Sequence, residues 1–374
     1  MECGWRKGVL VAQRGGLGFQ SAVLTAPASH TAAWHVNIAK IACRLGCEGV
    51  AGLASISPWV AKAVAEGTPA LQSVTGHGGA LVGDPKVSIT QRCITAARTE
   101  ALKEELLDSV KHDVVARASL RSAGGPGAGE WLSLPREPSH HFLNLQFSTA
   151  VRLRLHMDIP GCSGQCQHRS SSGAICGAEL DKKGFHARTC PIGGWVVRKH
   201  DACCGVLREW LEDHGCLVER EVILPGASED LPEARMDLVA HAPGISGPMY
   251  IDLTIVSAAS REALSKGAAS TDGAAARSAA ARKRAKYPQC PVTPFVIEDH
   301  GRLGEEALSL VRKIAPKDAV ARSAAIRRLH QSLGATVQRC AADAIIAAIP
   351  SRPWAAVCRA RPQPIAQQLA AALG

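Results

Sequence analysis

RMDLVAHAPGISGPMYIDLT, from Arg235 to Thr254, sets two aspartates inside two apolar, strand-like segments. In the first, Met236, Leu238 and Ala240 share one face while Asp237 points with Val239 to the other; in YIDLTIV, Ile251, Leu253 and Ile255 lie opposite Asp252 and Thr254. The intervening HAPGISGP is rich in turn formers and reads as the connection between two adjacent antiparallel strands. That arrangement brings Asp237 and Asp252 to the same end of a sheet, where a hard divalent cation can bridge them. The plainer alternative is that each caps a strand end or pairs with an arginine.

Working outward, LVEREVIL (Leu217 to Leu224) predicts a first strand whose Glu219 and Glu221 share a face, either as further metal carboxylates or as an exposed surface. Downstream, the Ala-rich run from Thr271 to Tyr287 predicts a helix. Lys283 and Lys286, three apart, share a face of it. A lysine near a carboxylate pair can orient a water or neutralise charge developing on a phosphate, although basic residues on such a helix are also commonly solvated. PVTPFVIED (Pro291 to Asp299) adds a strand, and GEEALSLVRKIA (Gly304 to Ala315) a helix. Three strands, a helix, a strand and a helix fit a small α/β domain with a mixed sheet.

Upstream, Trp195 to Cys216 predicts an amphipathic helix with Val206, Leu207, Trp210 and Leu211 inward, and Arg198 and His200 at its start, either where a phosphate is favoured or simply as solvated basic residues. Before it, Gly161 to Cys190 holds Cys162, Cys166, His168, Cys176, His186 and Cys190. Thiolates and imidazoles suit tetrahedral zinc, and Gly177 and Gly184 allow the tight turns that gather ligands. Cys176, His186 and Cys190 form the set with Cys166, or with Cys162 in its place. Four protein ligands leave no open position, so the site is expected to be structural. His141 to Met157 predicts a helix with Leu145, Val151 and Leu155 inward and Arg152 and Arg154 outward, and AGGPGAGEW (Ala123 to Trp131) reads as a flexible linker. The Gly-rich stretch from Arg14 to His30 lacks the spacing of a phosphate loop. Lys317 to Gly374 predicts a long helix packed on the α/β domain.

The 374 residues are 46% apolar, enough for a sizeable core, and the net charge is +10 (43 basic against 33 acidic), which points to an anionic partner such as nucleic acid. No uncharged apolar run reaches 18 residues and the opening lacks a signal-like apolar segment, so an intracellular protein without a membrane span is expected. There the 14 cysteines are expected to be thiols or metal ligands.

The series Cys176-Gly177, Leu180-Asp181, Gly184-x-His186 and Cys190, then Arg198-x-His200-Asp201, Arg235-x-Asp237, Asp252-x-Thr254 and Lys283-x-x-Lys286-Tyr287, resembles the C-terminal part of a non-LTR retrotransposon polyprotein. That part pairs a zinc knuckle with a restriction-endonuclease-like nuclease of the PD-(D/E)XK group, and the resemblance runs from about Phe142 to Ala315. It implies a mixed sheet flanked by helices, magnesium on Asp237 and Asp252, and catalytic Lys283, Lys286 and Tyr287. It further implies zinc on Cys166, Cys176, His186 and Cys190, and nucleic-acid contacts from Arg198, His200 and Arg235. Thr254 stands where related nucleases place lysine, and Met236 where a proline is expected. Residues 15–34 are similar to the segment after the reverse transcriptase domain, yet no Tyr- or Phe-x-Asp-Asp polymerase motif occurs. The expected organisation is a helical remnant over 1–135, a helix and knuckle over 136–196, the nuclease over 197–316 and a helical tail over 317–374. The implied activity is magnesium-dependent DNA nicking that leaves a 3′-hydroxyl, in the nucleus, with DNA and element RNA as partners. The alternative is a zinc-containing nucleic-acid-binding module without catalysis.

Overall fold

The computed structural model describes residues 16–17, 22–75, 82, 90–133, 135, 137–226 and 234–350. Residues 14–15 and 18–21 of the Gly-rich stretch, residues 227–233 and the residues beyond 350 lie outside them. The chain divides into two compact units, Met1–Ser109 and Val110–Gly374.

The first unit holds helices α1 (Ala22–Arg44), α2 (Gly49–Ile56), α3 (Pro58–Thr75) and α4 (Gln91–Ser109). Ile38, Ala42, Leu53, Val60 and Val82 form a small buried cluster in it.

The second unit is mixed α/β. Its elements are α5 (Val114–Ala123), α6 (Asn144–Arg154), α7 (Phe185–Thr189), α8 (Trp195–Asp213), β1 (Leu217–Ile223), β2 (Arg235–His241), β3 (Met249–Val256), α9 (Arg261–Ser265), α10 (Ala274–Lys286), β4 (Val292–Glu298), α11 (Glu305–Ile314) and α12 (Ala319–Ala348). The four strands form an open sheet in the order β1-β2-β3-β4. The β1–β2 and β2–β3 pairs are antiparallel and β3–β4 is parallel. Pro294 lies inside β4, and an edge strand tolerates a residue that cannot donate to a ladder.

Alternation along the strands divides the packing between two faces. Leu238, Ile251, Leu253, Phe295 and Ile297 face a core built with Leu207, Trp210 and Leu211 of α8, Leu310 and Val311 of α11, and Leu329, Leu333 and Val337 of α12. Val296 turns the other way, against Ala276, Ala279 and Ala280 of α10. With both faces covered, the strands carry apolar residues on both sides, and Met236 and Val239 belong to a second buried cluster with Tyr287 and Val292.

Two expectations are corrected. Arg154 points inward, not outward: it is 1% exposed, and its Nη1 donates to Ala128 O at 2.7 Å. The carbonyl that receives it belongs to the Gly-rich Ala123–Trp131 segment, which is no linker. Ala123, Ala128 and Trp131 are buried there.

Candidate functional site

The β2–β3 ladder runs from Ala240↔Met249 through Leu238↔Ile251. The next position on each strand is an aspartate, Asp237 on β2 and Asp252 on β3. There a side chain takes over from the ladder: Asp237 Oδ2 accepts the Leu253 backbone N–H at 2.7 Å. The same oxygen lies 3.2 Å from His200 Nε2. Asp252, 3% exposed, receives Lys283 Nζ on Oδ1 at 2.7 Å, while its Oδ2 is buried without a hydrogen-bond partner. Tyr287 is buried beside the pair, its hydroxyl 3.4 Å from Arg235 O.

The two carboxylates are electrostatically distinct. Burial disfavours ionisation of Asp237, but the hydrogen bond and charge of His200 and the Leu253 amide outweigh it and hold the group below the usual carboxylate range. Asp252 is raised by burial and by the neighbouring Asp237 charge, against the pull of Lys283. The Asp237 hydrogen bond, followed by the Cys204 contact, lifts His200 to about 11, and burial opposes this only partly. Burial and the charge of Asp252 push Tyr287 up to about 12.

Of the other residues singled out in the sequence, Lys286 is exposed, with Nζ 4.7 Å from the centre of the Tyr287 ring and no contact with either aspartate. Arg198 is exposed and stacks on Trp195 at 4.7 Å. Arg235 is exposed and pairs with Glu221 at 3.2 Å, so Glu221 is engaged away from the aspartates, and Glu219 is exposed on the edge strand. His200 turns inward to Asp237. Sequence reasoning gave it a phosphate and missed this partner, because 37 residues separate the two. Cys204, one helical turn after His200, completes a group in which the His200, Cys204 and Asp237 ligand atoms lie within 4.8 Å of one another. The i, i+4 spacing of His200 and Cys204 was the available signal.

The second centre is built from short turns. Cys166 N donates to Ala178 O, Cys176 N to His168 O and Gly177 N to Cys166 O, which folds the thiol-bearing loops together around Gly177 at φ +67°. Asp181 then caps α7, accepting Phe185 N on Oδ1 at 2.9 Å and His186 N on Oδ2 at 2.7 Å. The outcome is that Cys166, Cys176, His186 and Cys190 place one ligand atom each within 4.8 Å of all the others. This Cys3His set can hold a metal ion and suits zinc. Cys162 is outside the group, buried among Leu153, Ile159 and Ile345. His168 lies outside the group too, with its Nε2 2.8 Å from Ala344 O. Burial pushes Cys190 up to about 12, a cost that a bound cation offsets by stabilising the thiolate.

No protein-family model matches this chain, and no curated protein matches it. Among the described residues, no helix is long and apolar enough to cross a membrane.

Proposed function

We propose that the chain is a metal-dependent DNA endonuclease, related to the restriction-endonuclease-like domain that closes non-LTR retrotransposon polyproteins, with a structural zinc knuckle ahead of it. The observation that carries this reading is the end of the β2–β3 ladder, where Asp237 and Asp252 stand together with Lys283 on one of them. The orphaned, buried Oδ2 of Asp252 fits a cation ligand. Asp237 and Asp252 would hold magnesium, which when bound supplies Lewis acidity for phosphodiester hydrolysis.

The protein groups have separable tasks. The Leu253 amide and His200 fix the direction of the Asp237 carboxylate. The Lys283 ammonium is placed to meet negative charge on a phosphate arriving at Asp252. Exposed Arg198 and Arg235 offer backbone-phosphate contacts, so binding should weaken as salt rises. DNA in the nucleus, with element RNA as a further partner, follows from the resemblance.

A plasmid nicking assay on zinc-loaded protein, with magnesium and with Asp252→Ala, tests the proposal. Magnesium-dependent nicking that disappears in the variant while DNA binding persists supports it. A folded, zinc-loaded chain that binds DNA and never nicks it supports the non-catalytic binding module instead.

A further inference from the structure

A group of buried charges lies beside the carboxylate pair and serves neither it nor the thiol cluster. A cavity of about 200 Å³ opens among α7, the start of α8 and the end of β3, lined in part by Arg188, Lys199, His200, Thr254, Ser257 and Asp299. A water occupies roughly 30 Å³ of liquid, so the space admits a phosphate group with room to spare. Most of the lining charge is already matched. Arg188 Nη1 donates to Asp299 Oδ2 at 2.6 Å, Ser257 Oγ donates to the same carboxylate at 2.6 Å, and His200 is turned to Asp237.

Lys199 is the exception. It is 9% exposed, and among the described residues its ammonium has no hydrogen bond or ion pair. Burial and the repulsion of Arg188 act against its charge more strongly than Asp299 supports it. Its Nζ is not among the fully enclosed unbonded side-chain atoms, so the ammonium of this largely buried lysine reaches the cavity, where an entering anion would meet it. The location says which. His200 forms a wall of the cavity and also contacts Asp237, and Thr254 follows Asp252 by two residues on the same face of β3. Two residues along a strand span about 6.6 Å, the scale of one nucleotide step.

We propose that this cavity is a phosphate subsite, in which Lys199 and Thr254 hold the backbone phosphate adjacent to the one that meets Asp237 and Asp252. The subsite rests on the endonuclease reading and adds a means of fixing where along the strand the cut falls. It assigns Lys199 to DNA positioning, a role separate from that of Lys283.

The test uses the full zinc-loaded chain and a duplex in which single backbone phosphates near the nick are replaced, one at a time, by neutral methylphosphonates. On ordinary DNA, Lys199→Met should raise KM roughly tenfold, the worth of one charge-assisted hydrogen bond, with kcat within about twofold of wild type. One methylphosphonate position should cost the wild type the same factor and the variant nothing more, and Thr254→Val should share that position. Unchanged KM, or losses that add at every position, overturn the subsite. A second arm titrates inorganic phosphate without magnesium and follows 31P line width. Phosphate bound by wild type and not by Lys199→Met, in a protein that never cuts DNA, leaves the subsite standing and removes the endonuclease. Cleavage with no difference between the two proteins in phosphate binding removes the subsite alone.

Discussion

Lys283 on α10 reaches back 31 residues to donate to Asp252 on β3 at 2.7 Å, and the two side chains are 19% and 4% exposed. Helical phase explains why this lysine and not Lys286 makes the contact. Ala276, Ala279 and Ala280 seat α10 against Val296, and Lys283 continues that stripe at i+4 from Ala279 and i+3 from Ala280. The pair sits too deep to be a screened surface ion pair. Lys283→Met leaves a carboxylate buried alone and should cost on the order of 3 kcal/mol in urea unfolding. Adding Asp252→Asn should restore most of that loss. A single variant as stable as wild type would show that Asp252 draws nothing from Lys283.

Metal content should separate the two candidate fourth thiols. Cys166 belongs to the converging set and Cys162 to the apolar cluster around Ile159. Cys166→Ser is expected to lose zinc by atomic emission, and Cys162→Ser to keep it. Chelation should also loosen the end of α12, because Ala341, Ile345 and Ala348 pack in the same cluster as Cys166 and Cys190. Equal zinc in both variants would contradict the assignment.

Much of the α/β unit was legible because its strands follow period two and its helices carry continuous apolar stripes. Leu207, Trp210 and Leu211 are buried as their spacing requires. The misreadings share one cause: a polar group whose partner lies far away in sequence. Nothing near Arg154 shows that its guanidinium will find Ala128 O, 26 residues upstream, and nothing in AGGPGAGEW shows that its carbonyls are needed inside. His200 and Asp237 are the same case at the candidate site. Periodicity finds faces, but it cannot pair polar groups across the fold. Which of several clustered cysteines converge was open for a related reason, since local turns at Gly177 and Gly184 decide it.

Gly184 links the knuckle to the long C-terminal helix. It has φ +67°, and a Cβ there would meet Ile345 Cδ1 at 2.8 Å and Ile159 Cδ1 at 3.0 Å. Gly184→Ala should therefore be less stable by roughly 1 to 3 kcal/mol, part from the left-handed backbone and part from the clash. Combining it with Ile345→Val should recover only the share of the clash made by Ile345 Cδ1, since Ile159 Cδ1 stays in place. If Gly184→Ala alone unfolds at the wild-type urea concentration, this close approach does not govern the packing of α12.

Acid should destabilise the second unit through two buried histidines. Burial lowers both His300 and His330 to about 4, so each is neutral in the folded protein near pH 7. In the unfolded chain each takes a proton near 6.5, and between that pH and about 4 the unfolded state binds more protons than the folded one. Stability therefore falls as pH drops through this window, by at most about 3 kcal/mol for each residue, and is insensitive to these groups above it. His330 Nε2 is buried without a hydrogen-bond partner, so His330→Phe removes a titrating ring at little cost in bonding. Urea midpoints at pH 7, 6 and 5, with zinc content followed at each because the thiolate ligands also take up protons, should show a shallower acid slope in the variant. An identical slope would mean that His330 is protonated in the folded state and that its burial is relieved by water.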